Sequence, residues 1–179
     1  MQVSPLWSID MDGSVLLLKL FRPEKEYPQC RRTSREAGWE FAEISAARGF
    51  SLFLTGRDES RLQLFKKEHE EAVTITTAVA DLSAPNGVEE VLDAIKRGGA
   101  SIDILVNYAG LGDRRAFVEA ELDKQRAMIP VNITALVSLT HGLLPAMVGR
   151  RAGRILNVAS TAGFFPVPLC RSTTRARHS

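Results

Sequence analysis

The feature that most limits the fold is an alternation of short apolar runs with amphipathic stretches from about residue 34 onward. FSLFLT (50–55), VTITTAVADL (73–82), IDILVNYAG (102–110) and RILNVAS (154–160) are rich in β-branched and long aliphatic residues and read as strands. Between them lie segments with helical spacing. SREAGWEFAEISAARG places Ala37, Phe41, Ile44 and Ala47 along one face and stops at Gly49. ESRLQLFKKEHEEA sets Leu62, Leu64 and Phe65 on an otherwise charged helix. NGVEEVLDAIKRG reads as a third helix, and a long helical stretch runs from about Val118 to Val148. Strands that are apolar on both faces and joined by helices predict an α/β fold, a doubly wound parallel sheet covered on both sides.

The two ends break this rhythm. Residues 1–33 hold one apolar run, SVLLLKLF, followed by RPEKEYPQCRRT with its prolines and mixed charges. This N-terminal segment is expected to be irregular, with SVLLLKLF either supplying a central strand or leaving that strand absent. The partial α/β domain is expected over 34–170, and RSTTRARHS (171–179) forms a basic tail without periodicity.

Charge and cysteine usage exclude several functions. The stretch 36–170 carries 14 basic and 17 acidic residues, so the body lacks the basic stripe of a nucleic-acid binder. Cys30 and Cys170 are far apart and without metal-like spacing, which predicts reduced thiols and no metal site. SVLLLKLF is too short to span a bilayer and is preceded by Asp10 and Asp12 rather than a basic flank. A cytoplasmic chain with no membrane partner is the expectation.

In open α/β sheets ligands bind outside the carboxyl ends of the strands. Three strand exits here carry chemistry-bearing residues: Thr55-Gly56-Arg57-Asp58, Asp81-Leu82, and Asn107-Tyr108-Ala109-Gly110. Alanine and glycine at the third exit let a flat ligand approach the backbone. Each exit alone would pass for a plain turn; three in succession point to a binding edge.

Taken in order, these residues resemble the classical short-chain dehydrogenase/reductase family, over roughly 34–170. DILVNYAG is similar to the family's Asn-Asn-Ala-Gly motif, with Tyr108 in place of the second asparagine. VNITA matches the segment whose catalytic asparagine falls on Asn132, and RILNVASTAG the one whose catalytic serine falls on Ser160. The resemblance implies a Rossmann-like sheet, here incomplete, with about five of the family's seven strands. It implies a small carbonyl or alcohol substrate, a homo-oligomer as one option, and NADP or NAD as cofactor. Gly38, Arg57, Asp81, Leu82, Asn107, Ala109 and Gly110 fall on its cofactor-binding positions. The cofactor carries the hydride, while a tyrosine made acidic by a lysine moves the proton. Arg57, following a neutral Thr55-Gly56, suits a 2′-phosphate and favours NADP, although a solvated surface arginine fits the sequence equally.

Two departures from the family pattern bear on activity. The Tyr-x-x-x-Lys motif should fall on 173 and 177, which are Thr173 and Arg177; the last tyrosine is Tyr108 and the last lysine Lys124. A threonine hydroxyl is far less acidic than a phenol, and arginine has no tunable pKa. Permitted codons for Ser172–Ser179, read from the last base of the Arg171 codon, encode Val-Tyr-Asp-Ala-Ser-Lys-Ala-Phe. A frame change near Cys170 is therefore expected, and the coding DNA checks it. In the phosphate loop, the family's three glycines fall on Arg32, Glu36 and Gly38, so only one survives. The expectation is a dehydrogenase by resemblance that is inactive as written, the alternative being a non-catalytic remnant that binds nucleotide or a sibling subunit. Pro130, two residues before Asn132, either bends its helix there or is simply tolerated damage.

Overall fold

The computed structural model describes residues 14–18, 37–112 and 117–159. Five parallel strands form one sheet in the order β3-β2-β1-β4-β5. The strands are β1 (Ser14–Leu18), β2 (Ser51–Gly56), β3 (Ile75–Val79), β4 (Ile102–Asn107) and β5 (Arg154–Asn157). The connecting helices are α1 (Ala37–Ala47), α2 (Glu59–His69), α3 (Gly87–Arg97), α4 (Leu122–Ile129) and α5 (Ala135–Arg150).

The SVLLL run is the central strand. Leu16 pairs with Phe53 on one side and Leu105 on the other, so β1 is hydrogen-bonded along both edges. Of the two possibilities left by the sequence, the strand is present, inside the segment expected to be irregular.

Strands β2 and β4 each feed two cores, as a sheet buried on both faces requires. Leu52 and Leu54 of β2, with Val106 of β4, pack under α1 and α2 against Ala42, Ala46, Leu62 and Phe65. Phe53 and Leu105 face the other way, toward Val91 and Ile95 of α3 and Leu139, Leu143 and Met147 of α5. The segment Leu122–Arg150 has the length and apolarity of a membrane span by composition. Ala135, Leu139, Leu143 and Met147 of α5 face the second core, while Ile129, Ile133, Val137, Leu144 and Val148 stay exposed.

Helix α1 corrects one expectation. The face read from Phe41, Ile44 and Ala47 points outward, with Ile44 53% exposed; the buried side is Gly38, Ala42, Ser45 and Ala46. Small residues let the helix axis approach the sheet closely, and that contact outweighs the larger apolar side chains. In α2, likewise, Leu62 and Phe65 are buried while Leu64 is exposed.

The stretch expected as one long helix is broken. A short 3-10 turn at Phe117–Glu119 precedes α4, and a π turn, Pro130–Thr134, separates α4 from α5. Proline has no N–H to donate back to Arg126, and the Ala135 N–H reaches the Pro130 carbonyl in the wider π pattern.

Candidate functional site

Strand order reverses between β1 and β4, and the carboxyl ends of the strands gather there. Leu18 ends β1 opposite Thr55 of β2 and Asn107 of β4. Both neighbours are buried, and Thr55 Oγ1 and Asn107 Oδ1 have no hydrogen-bond partner among the described residues. Buried polar atoms are nearly always paired, so two orphans flanking one strand end mark this crevice as polar and unfinished.

The amide nitrogen of Asn107 is fully used. Nδ2 donates to Asn157 Oδ1 at 2.8 Å and to Thr140 Oγ1 at 3.2 Å, joining β4 to β5 and α5. Asn107 therefore holds the sheet's exit together. Thr140 and Asn157 were not singled out in the sequence; nothing local distinguishes them, because they meet Asn107 only in the folded sheet.

Asn132 sits in the π turn and grips the loop after β4. Its Oδ1 accepts from the Leu111 N–H at 2.7 Å, and its Nδ2 donates to the Leu111 carbonyl at 2.8 Å. The side chain thus positions the Leu111 backbone just after the Ala109–Gly110 exit. A Cβ on Gly110 would lie 3.7 Å from Asn132 Oδ1, which is ordinary contact, so this glycine keeps the exit low rather than preventing a clash.

The β3 exit is rigid. Asp81 Oδ1 accepts from both the backbone N–H and the hydroxyl of Ser83, at 2.9 and 2.6 Å. A Cβ on Gly87 would overlap the Asp81 backbone carbonyl oxygen, so only glycine lets α3 begin this close. In the sequence Gly87 stood only as the second residue of the NGVEEVLDAIKRG helix. Leu82 is buried beneath the turn. Across from it, Arg57 at the β2 exit points its guanidinium at Asp81, with Nη1 3.8 Å from Oδ2. Arg57 is thus neither a solvated surface group nor remote from the edge: it is 22% exposed and aimed along it. Asp58 caps α2 by accepting from the Arg61 N–H at 3.0 Å, which fixes where that helix departs.

On the α1 side, Gly38 is buried in the first turn of the helix. Tyr108 turns opposite to Asn107 and packs, with Trp39, against the core under α1 and α2. Burial, reinforced by the Glu40 carboxylate, raises the phenol pKa above its ordinary 10.0. Proton transfer to a substrate would call for the opposite shift. Ser160, Thr173 and Arg177 lie outside the described residues, as do Arg32 and Glu36. The structure therefore brings together Arg57, Asp81, Leu82, Asn107, Ala109, Gly110 and Asn132 along one edge, with Gly38 at the start of α1.

Comparison with known proteins agrees with this architecture. The short chain dehydrogenase family model matches residues 34–172. An uncharacterized oxidoreductase of Staphylococcus saprophyticus is 38% identical over 130 residues, covering 71% of this chain and 55% of the relative. Sulfoacetaldehyde reductase 2 of Chromohalobacter salexigens is 36% identical over 136 residues, covering 75% and 52% respectively. The chain thus spans about half the length of the curated relatives it matches. Among solved structures, a short-chain dehydrogenase of Sphingobium yanoikuyae in complex with NADPH superposes with a TM-score of 0.74 at 28% identity, covering 91% of this chain and 59% of that one. The L-sorbose reductase of Gluconobacter frateurii, complexed with NADPH and L-sorbose, gives a TM-score of 0.77 at 25% identity, covering 93% and 61%. With the strand order, the Asn107–Gly110 exit and the Asn132 clamp in place, the chain belongs to the short chain dehydrogenase family of oxidoreductases.

Proposed function

We propose that this chain is a short chain dehydrogenase relative that binds an NADP-type nucleotide by its adenosine end and does not turn over a carbonyl or alcohol substrate. The observation that carries the reading is the Arg57–Asp81 pair at the β2 and β3 exits. A guanidinium held there by a carboxylate is placed for a 2′-phosphate, with Leu82 and the Ser83-locked turn beneath the adenine. When bound to an intact family member, the nicotinamide supplies the hydride.

The residues present fit that group at one end only. Arg57, Asp81 and Leu82 suit the adenosine 2′-phosphate end. The first turn of α1, where a diphosphate would meet the helix, carries the Glu40 carboxylate. Lack of turnover follows from Thr173 and Arg177 at the Tyr-x-x-x-Lys positions, with Tyr108 held protonated elsewhere. Ser160 and Asn132 are on this reading ancestral catalytic positions, of which Asn132 keeps a loop-positioning role. The same reading places the chain in the cytoplasm with small-molecule ligands. It allows a homo-oligomer through the exposed row Ile129, Ile133, Val137, Leu144 and Val148 on one side of α4 and α5.

The test is an NADPH titration of the full chain followed by tryptophan fluorescence. Saturable binding is expected, weakened by about tenfold in Arg57→Ala, with NADPH losing its advantage over NADH. Equal binding by Arg57→Ala and the unaltered chain would overturn the assignment.

A further inference from the structure

Helices α1 and α2 cover the same face of the sheet, and a column of ring contacts joins them. Arg61 of α2 lies over the Trp39 ring of α1, its guanidinium carbon 4.8 Å from the centroid. Trp39 meets Phe65 at 5.1 Å between ring centroids, and Phe65 stacks on His69 at 4.3 Å with the planes 18° apart. His69 then returns to α1, where its Nε2 lies 2.8 Å from Glu43 Oε2. On the sheet itself α1 rests through Ala42 and Ala46, whose small side chains bury little apolar area, so the side chains that reach α2 bear on how firmly it is held.

The proton count of His69 decides whether the last contact is made. Nδ1 faces the Phe65 carbonyl at 2.9 Å while Nε2 faces the carboxylate. Both partners are acceptors, and a neutral imidazole has a single N–H to donate. Loss of the proton therefore leaves a lone pair pointed at an oxygen, whichever tautomer forms. The charged groups acting on the ring are Glu43 from α1 and Glu68 from its own helix. Strands β2 and β3, beneath α2, carry no charged side chain.

We propose that His69 and Glu43 form a proton-operated latch that holds α1 against α2. The latch is closed while the imidazole is charged. Its release makes α1, which carries Gly38 at the edge of the candidate site, open more readily in alkaline solution. The Phe65 carbonyl first, then Glu43 and Glu68, raise the ring's pKa above 6.5 against the opposing effect of burial. The latch is thus complete below 6.5 and is lost as pH climbs through the higher folded value. No ligand enters this device, so it stands apart from the nucleotide reading.

Amide hydrogen exchange of the full chain tests the latch. Protection of the α1 amides, each rate taken against the intrinsic rate at the same pH, is expected to fall by about fivefold between about pH 6 and about pH 8.5. His69→Gln should remove that dependence. Glu43→Gln should remove most of it too, because a neutral amide donates to the uncharged ring as readily as it accepts from the charged one. That variant should therefore keep α1 protected at about pH 8.5 better than the unaltered chain does. Constant α1 protection across this range in the unaltered chain would overturn the latch, and so would an undiminished fall in His69→Gln. A full fall in Glu43→Gln would trace the effect to the Phe65 carbonyl within α2 and equally overturn a latch on α1.

Discussion

Thr55 is only 2% exposed, yet its hydroxyl has no partner among the described residues. A buried donor left unpaired costs stability, whereas an apolar group of the same shape does not. Thr55→Val is therefore expected to be neutral or to stabilise by up to about 1 kcal/mol in chemical denaturation; a loss larger than that would mean the hydroxyl is satisfied in solution. His69 presents the opposite case. Its Nδ1 faces the Phe65 carbonyl at 2.9 Å and its Nε2 faces Glu43 Oε2 at 2.8 Å, so only the imidazolium donates to both. The Phe65 carbonyl is the main cause raising its pKa above 6.5, with Glu43 and Glu68 adding to it and burial opposing. A raised folded-state value means the contribution is complete below the unfolded pKa and vanishes as pH climbs through the folded one. His69→Gln should therefore cost more stability at about pH 5.5 than at about pH 8, and equal losses at both would contradict the assignment. Asn132 shows what a sequence conveys at this scale. Its block VNITA marked the position, but its grip on the Leu111 backbone was hidden, because the partner is a main-chain amide on another element.

At the scale of elements, strands announced themselves and helix faces did not. The runs that became β2 and β4 are apolar in sequence because both their faces are covered, whereas β3 and β5, at the two margins of the sheet, keep exposed positions. Helix α1 was legible as a helix, with Gly49 at φ +81° ending it, but its inward face was misread. Periodicity weighs large apolar residues, and this helix packs through small ones. Strand β1 was ambiguous because SVLLL runs on into Lys19-Leu20-Phe21 with no glycine turn to mark its end. Close approach also governs α3, whose first residue, Gly87, touches the Asp81 backbone. Gly87→Ala must push α3 away from that turn, at a cost of about 1–3 kcal/mol. Because the same turn positions Asp81, the variant should also bind NADPH more weakly; unchanged melting and binding would show that α3 has room to shift.

Across the whole molecule, the described part of the candidate site is most firmly built on the β2–β3 half of the sheet. Arg57, Asp81, Ser83 and Leu82 form a fixed edge, supported by a core in which Val91 and Leu139 are wholly buried. Asn107 carries the β4 exit across to β5, where Leu156 and Val158 stay partly exposed at the sheet's margin. On the proposed reading, the chemistry that would use a bound nucleotide depends on a phenol beside a lysine, and Thr173 and Arg177 stand at those positions. The most direct measurement is therefore NADPH consumption by the purified full chain against a panel of aldehydes and ketones, under conditions where nucleotide binding is demonstrated in the same sample. The account predicts saturable binding with no carbonyl-dependent consumption above background. Substrate-dependent turnover at the rates usual for enzymes, about 1–10³ per second, would contradict it.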